Sequence, residues 1–485
     1  MKVLFSHSYF LRLDRKQWEA QTPYPPLATL YAMACLREQG HKVALHDTMF
    51  AEGPEAVDAA LDTHDPEIFV IYDDSFNYLT KMCLSKMQDA AFEMIRRAEE
   101  RGCRVVVCGS DATDHRRRYL ERGADAVILG EGEAALVEVV AAWAADAEDL
   151  TRIAGLALLE GTDEVETGRR PTIRDADALP RPAWDLVDMT PYEQAWRTRW
   201  GRWSLNLVSS RGCPYSCSWC AKPIWGSQYV VHSPERMVAD LEYLRRHHAF
   251  EHIWFCDDIF GLKPEWTRRF ADLVETAGLD FSFTMQARVD SVLRTGVAAD
   301  LARAGLETAW IGAESGSQNI VDAMNKGVTV EQIYEATRLL QSHGIRVAFF
   351  LQFGYLGETR EDIDKTIRMV LDLMPDEIGI SVSYPLPGTP FYDEVASQLV
   401  DKTNWTESDD LDLMYRSTFQ PAFYKHLHRY VHKVFQRKRG LRSIARLLKT
   451  PWRADRKELR TALATAYYLP MSVVDGIRLR RLERP

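Results

Sequence analysis

Short apolar runs alternate with amphipathic stretches through the first 150 residues. The runs Lys2–Ser6, Lys42–His46, Ile68–Tyr72, Arg104–Cys108 and Ala126–Leu129 are rich in Val and Ile and read as strands. Between them, 26–39, 54–63, 84–101, 114–122 and 133–145 place apolar residues at helical spacing. Strands alternating with helices predict a doubly wound, Rossmann-like α/β domain that binds ligands beyond the carboxyl ends of its strands. Those ends lead into the loops 23–27, 75–78, 109–113 and 130–133. Residues 151–200 carry Pro171, Pro180, Pro182 and Pro191 and read as a short hairpin followed by a linker. A second series follows, with strands at 204–209, 252–256, 281–287, 308–312, 347–353 and 378–384. Six β/α units predict a partial (β/α)6 barrel over 201–400, with its chemistry at the strands' carboxyl ends. Residues 401–485 turn helical and basic.

The chain has 485 residues, room for several domains at roughly 100–200 residues each. Hydrophobic residues make up 46% and charged residues 27%, which excludes a disordered or collagen-like chain. No apolar run reaches the ~18 residues of a membrane span, and the amino terminus turns polar too early for a signal peptide. The expectation is a cytoplasmic protein. The net charge of −10 is uneven: 421–485 holds 17 Lys and Arg against 4 Asp and Glu.

Three of the eight cysteines crowd into Arg211-Gly212-Cys213-Pro214-Tyr215-Ser216-Cys217-Ser218-Trp219-Cys220, directly after the first barrel strand. Thiolates suit zinc, Cu(I) or iron–sulfur clusters. A structural zinc site wants four ligands, often as separated pairs, whereas here there are three at C-x3-C-x2-C. On an iron–sulfur cubane, three thiolates leave one iron open to a substrate or cofactor. Cys256, on the next strand, reads as core.

At these residues the sequence resembles the radical S-adenosylmethionine (SAM) superfamily, whose signature is C-x3-C-x-aromatic-C; Cys213, Cys217, Trp219 and Cys220 match it. The resemblance implies a [4Fe–4S] cluster on the three cysteines, SAM on the open iron, and reductive cleavage of SAM to a hydrogen-abstracting radical. It also assigns cofactor contacts at the other strand ends. Asp257 and Asp258 end the second barrel strand and Arg288 the third, where it could pair with the SAM carboxylate. Glu314 and Ser315, in a G-x-E-S-G segment, would hold the SAM ribose or amine. Gln352 ends the fifth strand. Phe353-Gly354-Tyr355-Leu356-Gly357-Glu358-Thr359 resembles the family's G-x-P-G-E-T turn, with Leu356 in place of Pro, a change that bears on rigidity more than role.

The first domain resembles the cobalamin-binding domain fused to many radical SAM enzymes, through Pro25-Pro26-Leu27, Leu36–Val43 and Ala126–Glu133. That implies cobalamin contacts at Pro26, Leu27, Ser75, Gly109, Ser110, Gly130, Glu131 and Gly132. Gly130-Glu131-Gly132-Glu133 opens a helix, so its N–H groups could face an anion or polar amide. The D-x-H-x-x-G motif of many cobalamin proteins is missing: Ser6-His7-Ser8 follows the first strand, and His64 reads as an exposed loop residue. Any bound cobalamin should therefore lack a protein histidine ligand. Together the two stretches resemble the B12-binding domain-containing radical SAM proteins. That resemblance implies a methyltransferase acting on an unactivated carbon, consuming two SAM per product. The alternatives are a cobalamin-dependent oxidase or cyclase and a non-catalytic corrinoid and iron–sulfur sensor. A small-molecule or lipid-like substrate and an external flavodoxin- or ferredoxin-like electron donor are expected, and no nucleic acid. The basic tail reads as a solvated helical cap or as a helix lying on a membrane surface.

Overall fold

The computed structural model describes residues 1–483 apart from 223, 403, 451, 453 and 454. Its first sheet contains β1 (Lys2–Ser6), β2 (Lys42–His46), β3 (Ile68–Tyr72), β4 (Arg104–Cys108), β5 (Ala126–Ile128), β6 (Leu156–Glu160) and β7 (Asp163–Glu166), in the order β2-β1-β3-β4-β5-β6-β7. β1 to β5 run parallel. The central strand β3 is buried at every position because helices cover both faces of the sheet. The expected hairpin is present at 156–166 and belongs to the first sheet. β6 pairs antiparallel with β5 and β7 with β6, so the first sheet extends past residue 150. Its physical reason is that β5 would otherwise present an unpaired edge.

The supposed linker also contains a helix, Thr190–Trp200, which clasps the first domain. Tyr192 donates to Asp47 Oδ2 at 2.7 Å, and Trp196 Nε1 donates to the Pro23 carbonyl at 2.8 Å.

The predicted strand 204–209 is broken. β8 (Ser204–Leu207) stays in the barrel, while β9 (Ser210–Arg211) pairs antiparallel with β10 (Val230–Val231). The break falls where Asp257 accepts from the N–H and hydroxyl of Ser209. The other barrel strands are β11 (His252–Phe255), β12 (Ser282–Ala287), β13 (Leu306–Glu314), β14 (Arg346–Phe353) and β15 (Glu377–Val382). All six barrel strands are parallel, in the order β15-β14-β13-β12-β11-β8, so the barrel is open between β15 and β8.

The loop at 23–27 packs on the β8 side. Tyr24 hydroxyl meets Ser204 Oγ at 2.9 Å and its ring packs on Trp254, while Asn206 donates to the Pro25 carbonyl at 2.9 Å. The chain returns to the first domain after the barrel: Asn404 donates to Cys83 O, and Lys86 pairs with Glu407. Two long helices, Pro421–Lys449 and Arg456–Leu482, form the tail. Among the described residues no helix is long and apolar enough to cross a membrane.

Candidate active site

Gly212 starts the cysteine loop with φ of 76°. A Cβ there would lie 2.3 Å from the Gln228 carbonyl oxygen, so only glycine fits between β9 and Cys213. Lys222 then ties the loop down, donating to the carbonyls of Cys213 and Tyr215. Ser218 N–H donates to Met324 O at 2.9 Å and Asn325 Nδ2 to Ser216 O at 2.8 Å, which anchors the loop to the segment after β13. Cys213, Cys217 and Cys220 are free and half-buried. Burial raises the Cys213 thiol and pushes Cys220 up to about 12; a bound cation would reverse that by favouring the thiolate. Among the described residues no three His, Cys, Asp or Glu groups close on a single metal ion. Cys256 is buried, its thiol on Leu207 O, as a core cysteine should be.

Arg288 faces this loop. Its guanidinium lies 3.6 Å from the Tyr215 ring centroid and its Nη1 3.9 Å from Cys217 Sγ. Asp290 and the Lys326 carbonyl fix the rest of its fork. Asp257 is fully buried and accepts from Ser209 and Ser210, so it latches β8 to β11; burial pushes its carboxyl up to about 6 against those hydrogen bonds. Asp258 instead reaches Lys81 of the first domain at 2.6 Å.

Glu314 sits at a register shift of β13 with φ of 55°. Its Oε1 pairs with Lys326 Nζ at 2.7 Å, both side chains buried. Gly312 makes room for that pair, since a Cβ there would meet both groups under 3 Å. Ser315 is fully buried; its hydroxyl meets Thr366 Oγ1 and accepts from Ser317 N–H, so it braces the loop. Gln352 is buried with Oε1 unpartnered, and Trp219 Nε1 is also unpartnered. The turn bearing Leu356 is stiffened from elsewhere. Glu358 Oε2 accepts from Gly354 N–H at 2.6 Å, and Tyr415 and Ser417 donate to the Gly354 carbonyl.

In the first domain the Gly-Glu-Gly-Glu turn faces protein. Arg211 Nη1 donates to Glu131 Oε1 at 2.6 Å, and its Nη2 forms an ion pair with Glu133 at 2.8 Å that is too poorly aligned to be a hydrogen bond. All three side chains are buried, and Tyr31, Phe76 and Trp225 surround the guanidinium. Burial, with Glu133 alongside, raises the Glu131 carboxyl against the pull of Arg211. Gly132 packs tightly: a Cβ would lie 2.5 Å from Cys108 Sγ. A Cβ on Gly109 would lie 2.8 Å from Asp73 Oδ2, Ser110 opens the helix Ser110–Asp114, and Ser75 is buried. Gly130 has φ of 80°. Pro26 and Leu27 are buried at the start of the helix Leu27–Glu38. His7 is buried on Asp47 and Thr48, and His64 is exposed at a helix end.

Arg211, Lys81, Lys222 and Lys326 escaped the sequence reading. Arg211 carried a signal, standing two residues before Cys213. Lys222 carried the same kind of signal, standing two residues after Cys220, whereas Lys81 carried none, its partner Asp258 being remote in the chain.

The B12 binding domain family model matches residues 19–140, and the Radical SAM superfamily model matches 207–370. An uncharacterized methyltransferase, PH0819, of Pyrococcus horikoshii is 30% identical over 59% of this chain and 62% of its own. An anaerobic magnesium-protoporphyrin IX monomethyl ester cyclase of Cereibacter sphaeroides is 31% identical over 61% of this chain and 48% of its own. The chain thus spans less than two thirds of the length of these curated relatives. The fold matches that of the cobalamin-dependent SAM radical enzyme OxsB, solved with aqua-cobalamin and SAM, with a TM-score of 0.73 and 17% identity over 98% of this chain and 72% of that one.

Proposed function

From the premise that this chain is a B12-binding domain-containing radical SAM protein, we propose that it is a cobalamin-dependent radical SAM methyltransferase acting on an unactivated carbon. The observation that carries this is the Arg211 clasp: the residue two positions before the first cysteine of the loop is locked onto the helix start of the B12-binding domain. Such a clasp sets the two cofactor crevices against each other, as transfer from one to the other requires.

The residues fit the groups. Cys213, Cys217 and Cys220 would each hold one iron of a [4Fe–4S] cluster, on a loop whose backbone is already pinned. Arg288 sets positive charge beside Cys217. The unpartnered Gln352 Oε1 and Trp219 Nε1, with Glu314 and Asp258, would contact SAM. The first domain's small residues Ser75, Gly109, Ser110 and Gly130 would border cobalamin, and with His7 held by Asp47 and Thr48 and His64 exposed, neither of these histidines would reach the cobalt. Bound there, SAM on the cluster supplies a hydrogen-abstracting radical and cobalamin a transferable methyl group.

The register places Gln286, Trp310, Phe350, Gln352 and Ser381 on one face of the barrel sheet, with Trp310 stacked on Phe350 at 4.7 Å. The charged residues of β14 and β15 on this face, Arg346 and Glu377, pair with each other at the strands' amino ends, so its carboxyl half suits a neutral, largely apolar small molecule.

The test is anaerobic purification with iron, sulfide and cobalt quantified, then reduction with SAM. Methylation yields S-adenosylhomocysteine and 5′-deoxyadenosine in equal amounts. Cobalt-free protein that still cleaves SAM would defeat the cobalamin reading. Iron content and SAM cleavage surviving replacement of all three cysteines by Ala would defeat the whole proposal. The cyclase reading is favoured by the Cereibacter relative; 5′-deoxyadenosine without matching S-adenosylhomocysteine would select it.

A further inference from the structure

The tail hairpin buries polar groups and exposes apolar ones. On the helix Arg456–Leu482, Thr465, Ser472 and Asp475 are buried at 2–3% exposure. Asp475 pairs with Lys433 of the facing helix at 2.6 Å, and Ser472 accepts from Arg437 at 3.1 Å. The helices also approach closely: a Cβ on Gly440 would run into Thr465 Oγ1. The opposite face carries Leu459, Leu463, Tyr467, Val474 and Ile477, at the three- and four-residue spacing of one helix side. Leu463 is 75% exposed and Ile477 48%. Among the described residues thirteen large apolar side chains are exposed, and ten of them lie between Leu441 and Ile477. A helix pair in water places its apolar stripe inward. Polar, small-residue contacts inside with apolar residues outside are what a non-aqueous neighbour selects.

Charge identifies the neighbour. Arg442, Lys449, Arg456, Arg460, Arg480 and Arg481 are exposed on the same two helices. None of the six forms an ion pair with an acid among the described residues. A second copy docking through this face would bring these like charges together, whereas an anionic bilayer meets both the charge and the stripe. The helix Arg456–Leu482 has 27 residues, about 40 Å of amphipathic cylinder, and no described helix is apolar enough to span. It must therefore lie in the plane of the surface.

We propose that the tail hairpin docks the protein onto an anionic lipid surface, with Leu459, Leu463, Val474 and Ile477 entering the acyl boundary and the arginines meeting headgroups. The otherwise acidic molecule would then face the membrane through its one strongly basic region.

The full chain is tested by flotation with vesicles of phosphatidylcholine alone and of phosphatidylcholine with phosphatidylglycerol. Binding should require phosphatidylglycerol, weaken with salt, and drop about tenfold or more in the Leu463→Glu, Val474→Glu double variant. Arg480→Ser with Arg481→Ser should lower it by roughly thirtyfold at low salt, at about 1 kcal/mol per arginine. Both sites are exposed, so helix content and melting temperature should stay unchanged, and this is measured alongside. Absence of binding to either vesicle, or binding indifferent to the double variant, overturns the proposal. So does a lipid-free dimer that the double variant disperses, which would assign the face to a second copy.

Discussion

Glu358 is nearly fully buried, with one oxygen on Gly354 N–H and the other unpartnered. Burial pushes its carboxyl from the ordinary 4.5 up to about 8. The folded chain therefore keeps this proton where the unfolded chain has lost it. Stability falls as pH rises from about 4.5 and levels off above about 8. Glu358→Gln should remove that decline and leave the variant more stable than the parent at pH 9, as urea midpoints across pH would read. Parallel pH profiles for both proteins would refute it. Glu314 differs in kind, since Lys326 pairs it, whereas Asp257 is likewise raised by burial, to about 6, against the hydrogen bonds of two serines.

The loop between β9 and β10 shows how one element sets the chemistry. Its thiols come from sequence, but its path is set by Gly212, Lys222 and the contacts after β13. Gly212→Ala forces a Cβ onto the Gln228 carbonyl at positive φ. All three thiols remain, yet iron per polypeptide should fall severalfold, while the melting temperature of the first domain is unchanged. Undiminished iron would show that the loop tolerates another path. In the tail hairpin, Gly440→Val should separate the two helices and make them sensitive to limited proteolysis, at a cost of about 1–3 kcal/mol for the overpacked contact. Proteolysis patterns identical to the parent would refute that.

Across the molecule, contacts at Arg211, Lys81, Tyr24 and Asn206 join the first sheet to the barrel. Arg211 is the most buried of the charged ones. Arg211→Met leaves Glu131 and Glu133 without their cation and should cost about 3–5 kcal/mol, the usual penalty for halving a buried pair. The expected outcome is separation of one unfolding transition into two, with iron retained and SAM still cleaved but methyl transfer to substrate sharply reduced. Loss of SAM cleavage in step with methyl transfer would instead make Arg211 part of the cluster site.

Periodicity alone located the first four strands of the first sheet: β1, β3 and β4 are largely buried on both faces and therefore nearly continuously apolar, while β2, a half-buried edge strand, shows through its Val43-Ala44-Leu45 run. The cysteine spacing was equally legible, since ligand chemistry constrains residues that are neighbours in the chain. The hairpin at 156–166 was read as a hairpin but left outside the first domain, because an edge strand is defined by what it pairs with. Ser315, Asp257 and Glu131 looked like open polar groups in sequence. Thr366, the pair Ser209 and Ser210, and Arg211 turned them to bracing roles. The sequence by itself determined the α/β order and the metal-binding chemistry, both written in local spacing. Which carboxylates are paired, how the two crevices meet and which face of the tail is left bare depend on contacts between distant segments, and only the packed chain decided them.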